Sequence, residues 1–232
     1  GIFILLLVVF LLSRPDRENE ILEEKSIAVL PFINDSSDSS NVYLINGLME
    51  STLINLQKIA DLRVISRTST EKYRNSTKTI PEMAKELNVK YFVEGSGQKI
   101  GDRILLNIQL IEAATDKHLW ARQYERNTSD IFKLQQEIAQ NIAGEVQAII
   151  TPKEQAQIEK IPTDNLEAYD QFLKGRDLLV IGDDEKTMRS LPYFKKATEL
   201  DPGFAHAYAA LTVAYYYLDI FQADLPSPQG TR

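Results

Sequence analysis

Residues 101–124 read GDRILLNIQLIEAATDKHLWARQY, and their alternation decides the fold. Ile104, Leu106, Ile108 and Leu110 recur at every second position, with Asn107 and Gln109 between them. Successive side chains of a strand point to opposite faces, so this period of two predicts a strand over Arg103–Ile111 with one buried face. Gly101-Asp102 is a hairpin turn signal, which places a partner strand just upstream, at Tyr91-Phe92-Val93-Glu94. Ala114–Lys117 supplies a second turn, and His118–Tyr124 is the returning strand.

Further upstream, Ser26–Phe32 (SIAVLPF) is apolar on both faces, which suits a central strand covered on both sides. Asn34–Ser40 is a polar loop, and Asn41–Ile59 carries Ile45, Leu48, Met49, Leu53 and Leu56 at helical spacing. Leu62–Arg67 reads as a second strand. Thr79-Ile80-Pro81-Glu82 has capping-box spacing before a short helix that ends near Leu87. Downstream, a helix is expected from about Asp130 to Ile150, with Ile131, Leu134, Ile138, Ile142, Val146 and Ile149 as its apolar stripe. Thr151-Pro152 is expected to end or kink it, and a polar stretch follows through Pro162. The economical architecture is α/β: one mixed sheet of about five strands with packed helices.

The totals exclude some functions. The chain has 232 residues, a net charge of -7 and no cysteine, so disulfides and thiolate metal sites are absent. A nucleic-acid face would need clustered Lys and Arg, and the acidic balance argues against one here. Gly1–Leu12 is uncharged and apolar. As a helix it would span roughly 18 Å, against roughly 30 Å for a bilayer core, so it is read as the C-terminal part of a transmembrane helix, the alternatives being a signal-peptide core or a buried core helix. The expected organisation is a membrane-helix stub at 1–13, a charged linker at 14–25, the α/β domain at 26–151, a linker at 152–164 and an all-α repeat region at 165–232.

That last region rests on Ser190–Tyr215, SLPYFKKATELDPGFAHAYAALTVAY. Two amphipathic patterns meet at Asp201-Pro202-Gly203, with small residues at Ala197, Ala207, Ala210 and Ala214. Large residues fill the gaps between them, at Tyr193, Phe194, Phe204, Tyr208, Leu211 and Tyr215. The stretch resembles a tetratricopeptide (TPR) repeat, with Pro202, Ala197, Phe194 and Ser190 on the repeat's proline, alanine, phenylalanine and small positions. Gly175 can take the glycine position of an earlier, less regular repeat. The resemblance implies a docking groove for a protein or peptide, with His206, Ala209, Val213, Tyr216 and Tyr217 as candidate contacts.

Blocks in the α/β region agree in order and spacing with a second family. AVLPF, the Gly47-containing helix, LRVISRTS, VEGS, the GDR turn, HLW and DIF with EIA resemble a TolB amino-terminal-like domain over Ser26–Ile150. Asn46-Gly47 departs from that family's usual Asp-Gly. In the family the domain precedes TPR repeats and is often joined through one membrane helix to a helix-turn-helix or nucleotide cyclase output domain. The resemblance implies a bacterial inner-membrane signalling protein with residues 14–232 periplasmic. The alternative is an envelope scaffold without signalling output.

Catalysis within the segment has little support in the sequence. His118 and His206 are the only histidines, and no HxxxH or HxH spacing exists. Ser96 lies in EGSG, not in a nucleophile elbow, and the glycines there read as a turn leaving a strand. Gly182-Asp183-Asp184-Glu185 reads as a helix start. The expectation is therefore a segment with no catalytic residue, no metal and no cofactor. Its partners are a protein or peptide and, through residues 1–13, the membrane, and it makes no contact of its own with nucleic acid.

Overall fold

The computed structural model describes residues 25–180 and 182–223. Its strands form one mixed sheet. They are β1 (Ser26–Val29), β2 (Ile33–Asn34), β3 (Arg63–Val64), β4 (Tyr91–Ile100), β5 (Arg103–Glu112) and β6 (Lys117–Asn127). The order is β3-β1-β4-β5-β6, with the short β2 beside β4. β1 runs parallel to β3 and β4, whereas β4, β5 and β6 form an antiparallel meander. The described helices are α1 (Val42–Gln57), α2 (Arg67–Glu71), α3 (Ile80–Leu87), α4 (Ile131–Glu145), α5 (Pro152–Glu159), α6 (Leu166–Leu178), α7 (Asp184–Leu200) and α8 (Ala205–Ala223).

The central position of β1 follows from its sequence. Ile27 and Val29 point into the main core, and Ala28 and Leu30 point into a smaller core on the other face. α1 and α4 cover the first face, and α3 with Tyr73 covers the second. Parallel neighbours require crossovers, and these carry the helices to both faces of the strand. The alternation in β5 holds: Ile104, Leu106, Ile108 and Leu110 are all fully buried. β6 is an edge strand with a bulge opposite Leu110 and Ile111, and Tyr124 is its buried anchor.

Several expectations are corrected. β4 does not stop at Glu94 but continues through Gly95-Ser96-Gly97 to Ile100. These glycines mark close approaches, not a turn. A Cβ on Gly95 would lie 2.5 Å from the Phe32 ring, and one on Gly97 would lie 2.5 Å from the Leu105 carbonyl oxygen. The second strand shrinks to two residues, because Arg67 already begins α2. α4 ends at Glu145, where Gln147 adopts a left-handed conformation (φ 55°). Ile149 leaves the expected stripe and is 70% exposed.

Thr151-Pro152 starts a helix instead of ending one. Thr151 Oγ1 accepts from the Glu154 N–H, and the Glu154 carboxylate accepts from the Thr151 N–H at 2.7 Å. The polar stretch after Thr151 therefore contains α5, whose Ile158 is buried in the main core.

α6, α7 and α8 pack in succession. Phe194, Ala197, Ser190, Phe204, Ala207 and Ala214 are buried as the spacing predicts. Tyr208 and Tyr215 are not: both remain nearly half exposed, with Lys195 of α7 over the Tyr215 ring. No described helix is long and apolar enough to cross a membrane. The anchor expected at 1–13 lies outside the described residues, as does all but Lys25 of the charged linker.

Candidate functional site

Two surfaces are candidates. The first is the seam where α6 and α8 meet the sheet-covering helices α1 and α4. Its base is steric. A Cβ on Gly47 of α1 would lie 2.8 Å from Leu173 Cδ2 of α6, so the absent side chain lets the two helices approach closely. Around that contact sits a polar network. Glu50 is only 14% exposed and pairs with both Arg67 of α2 and Arg176 of α6. Asn46 donates to Asp177 Oδ1 at 2.7 Å and accepts from Arg74 at 3.3 Å. An aspartate at position 46 would instead set its carboxylate against that of Asp177, which gives Asn46 a structural reason. Tyr43 donates to Asp170, and its hydroxyl pKa is raised, chiefly by burial and then by that bond.

Beside the seam a cleft of about 430 Å³ opens between α1, α4, α5, α6 and the start of α8. That size is within the range of small-molecule sites. α1 contributes Gly47, Ser51 and Asn55, and Lys58 at its C-cap continues the same stripe at three- and four-residue spacing. α6 contributes Tyr169, Phe172 and Arg176 in the same way. Gln135 of α4 is buried, and its amide donates to the Tyr169 hydroxyl at 2.9 Å. Phe132 packs tilted on Tyr169 with ring centroids 4.7 Å apart.

The charge of this cleft is one-sided. Lys58, Lys160 and Arg176 line it, and no lining residue among those described is Asp or Glu. Lys58 Nζ donates to Asn55 Oδ1 at 2.8 Å and to the Gln157 carbonyl at 3.0 Å, without a carboxylate partner among the described residues. Burial lowers its pKa. His206 sits at the rim with its ring against Phe172 and Phe204. Its pKa is lowered first by burial and then by Arg176, Lys58 and Lys160.

The second surface is the outer face of α8. Of the five residues expected to contact a partner, only His206 reaches the cleft. Ala209, Val213 and Tyr216 continue along the exposed side of the helix from it, with Tyr216 62% exposed. Tyr217 is half-buried, its ring 6.0 Å from that of Tyr216. The sequence reading missed the cleft. The one available signal was Gln135, a polar residue set among the apolar positions of α4.

Residues 23–141 match the second domain of the HilA/YgeH-like transcriptional regulators, and the match covers just over half of the chain. The chain belongs to this family. Its HilA/YgeH-like domain thus takes in the whole sheet and most of α4, but stops before α5–α8. A longer similarity runs beyond it. The protein named "Putative adenylate cyclase 3" of Rhizobium meliloti (strain 1021) is 35% identical over 188 residues, 81% of this chain. The chain spans about a third (32%) of that relative's length.

Solved structures resemble the chain only loosely. TolB from Acinetobacter baumannii gives a TM-score of 0.42 at 18% identity, over 52% of this chain and 28% of TolB. The LpoB C-terminal domain from Escherichia coli gives 0.36 at 13% identity, over 47% of this chain and 94% of that one. These values bear on neither ligand nor partner.

Proposed function

We propose that the chain is the non-catalytic sensory and protein-interaction segment of a membrane-anchored bacterial signalling or transcription-regulatory protein. The observation that carries this is the exposed apolar face of α8, where Val213 and Tyr216 stand in solvent on a helix whose other face is locked into the core by Phe204, Ala207 and Ala214. Tyrosine pairs a large apolar ring with one polar tip, which suits it to protein contact. A TPR-like arrangement of α6–α8 is part of this reading. It is supported by Gly175, where a Cβ would lie 2.6 Å from the Phe194 ring, and by buried Ser190 and Ala197 at the repeat's small positions.

Transcriptional or cyclase output belongs, in this reading, to parts of the full protein outside the segment. The net charge of -7 supports a segment that leaves nucleic acid to those parts. A partner can bias the output only by binding two states of the protein unequally.

The test is site-specific photo-cross-linking. With a photoreactive residue at Val213 or Tyr216, we expect a discrete adduct in envelope extracts, lost in the Ala209→Glu variant. The same probe at exposed Gln123 on β6 serves as the control. Equal labelling at all three positions, or none, would count against the reading.

A further inference from the structure

The cleft beside the seam has a chemistry that the α8 surface does not share. The chain carries 33 acidic residues against 26 basic ones, yet the cleft wall holds Lys58, Lys160 and Arg176 and no carboxylate among its described residues. Lys58 and Lys160 form no ion pair with any described residue, and Lys58 is half-buried, with two of its three donors satisfied by neutral oxygens. A half-buried ammonium without a counter-charge costs desolvation free energy that a bound anion would recover. Arg176 is tied to Glu50, which also takes Arg67, and Arg67 in turn meets Glu71 at 3.6 Å. Apolar surface lies beside these cations: Ile54 and Ile161 are both more than a third exposed, and Phe132 is half-buried.

We propose that this cleft binds a small organic anion, its carboxylate or phosphate held by Lys58, Lys160 and Arg176 and its apolar body resting on Ile54, Phe132 and Ile161. His206 stands at the entrance, where it can donate to the same acidic group. Because α1 and α4 belong to the sheet layer while Arg176 and His206 come from α6 and α8, the ligand bridges the two layers and fixes their spacing. The proposal deepens the sensory reading and rests on it, but the two fail separately, since the cross-linking sites lie on the outer face of α8.

A matched pair of fluorescent probes tests the proposal on the full chain. 1-Anilinonaphthalene-8-sulfonate carries the aromatic body and the anion, and N-phenyl-1-naphthylamine carries the body alone. We expect Lys58→Gln and Lys160→Gln each to weaken the sulfonate about fivefold, the scale of one half-exposed charged contact, and to leave the neutral probe within about twofold. Lys58→Arg should restore most of the sulfonate affinity. Lys153→Gln, which lies outside the cleft, should change neither probe. Phenyl phosphate or benzoate should displace the sulfonate, and benzyl alcohol should not. Equal affinity of the sulfonate for wild type and both Gln variants would overturn the proposal, as would equal losses for the two probes. Displacement by an acidic peptide at a concentration where benzoate and phenyl phosphate fail would overturn the small-molecule occupant. Near-ultraviolet circular dichroism of each variant separates loss of the site from loss of the fold.

Discussion

Gly95 shows how much one missing methyl group decides. It stands mid-strand in β4, where glycine is normally unfavourable by roughly 0.5–1 kcal/mol against alanine. Here the buried Phe32 ring occupies the space a Cβ would need, at 2.5 Å. Moving a ring in a packed core costs about 1–3 kcal/mol, more than the strand gains. Gly95→Ala is therefore expected to lower stability by about 1–2 kcal/mol, read as a lower urea midpoint with an unchanged slope. A midpoint equal to wild type would mean that Phe32 can rotate aside. The sequence invites the opposite conclusion, because a Gly-Ser-Gly run after four strand residues has the composition of a turn. What separates a turn from a close approach is the partner, and Phe32 lies far upstream in the chain. Asn46 and Glu50 were opaque for the same reason: their meaning depends on Asp177 and Arg176 of α6.

At the scale of elements, start signals were more legible than stop signals. Thr79-Ile80-Pro81-Glu82 was readable because its reciprocal cap is local, and the Glu82 carboxylate does accept from the Thr79 N–H at 2.7 Å. Thr151-Pro152-Lys153-Glu154 has the same spacing, yet it follows an apolar stripe, so its proline suggests an ending. The actual stop is Gln147, in a left-handed conformation usually left to glycine or asparagine. The Lys25–Asp61 pair holds that exit: Lys25 Nζ donates to the Gln147 carbonyl at 2.8 Å, and Asp61 Oδ2 accepts from the Ile149 N–H at 2.8 Å. Nothing in residues 145–150 alone announces it.

α5 has eight residues, too few to hold as an isolated helix, so its cap matters. Thr151→Ala should cost about 1 kcal/mol, and Thr151→Ser should restore most of it. Faster amide exchange at Gln155, whose N–H bonds to the Thr151 carbonyl, is the local readout. If the thermal midpoint falls but that exchange is unchanged, the loss lies elsewhere.

Over the whole molecule the decisive fact is that the main core has no internal border. It runs from Ile27 and Val29 of β1 through α1 and α4 to Tyr169, Phe172 and Leu173 of α6, and on to Phe194 and Phe204. The sequence could show two patterns, a period of two and then helical spacing, but not that the second packs on the first across Gly47. A continuous core implies that sheet layer and helical layer unfold together. Leu173→Ala tests this. It removes the side chain that fits against Gly47 and leaves a cavity at the seam, with an expected cost of about 3 kcal/mol, or roughly a hundredfold in the unfolding equilibrium. If the layers form one cooperative unit, amides of β5 and of α6 should lose protection by similar factors. If only α6–α8 lose protection, the helical layer is a separable module. Any coupling between α8 and the sheet would then have to pass through the polar contacts of the seam, Glu50–Arg176, Asn46–Asp177, Tyr43–Asp170 and Gln135–Tyr169.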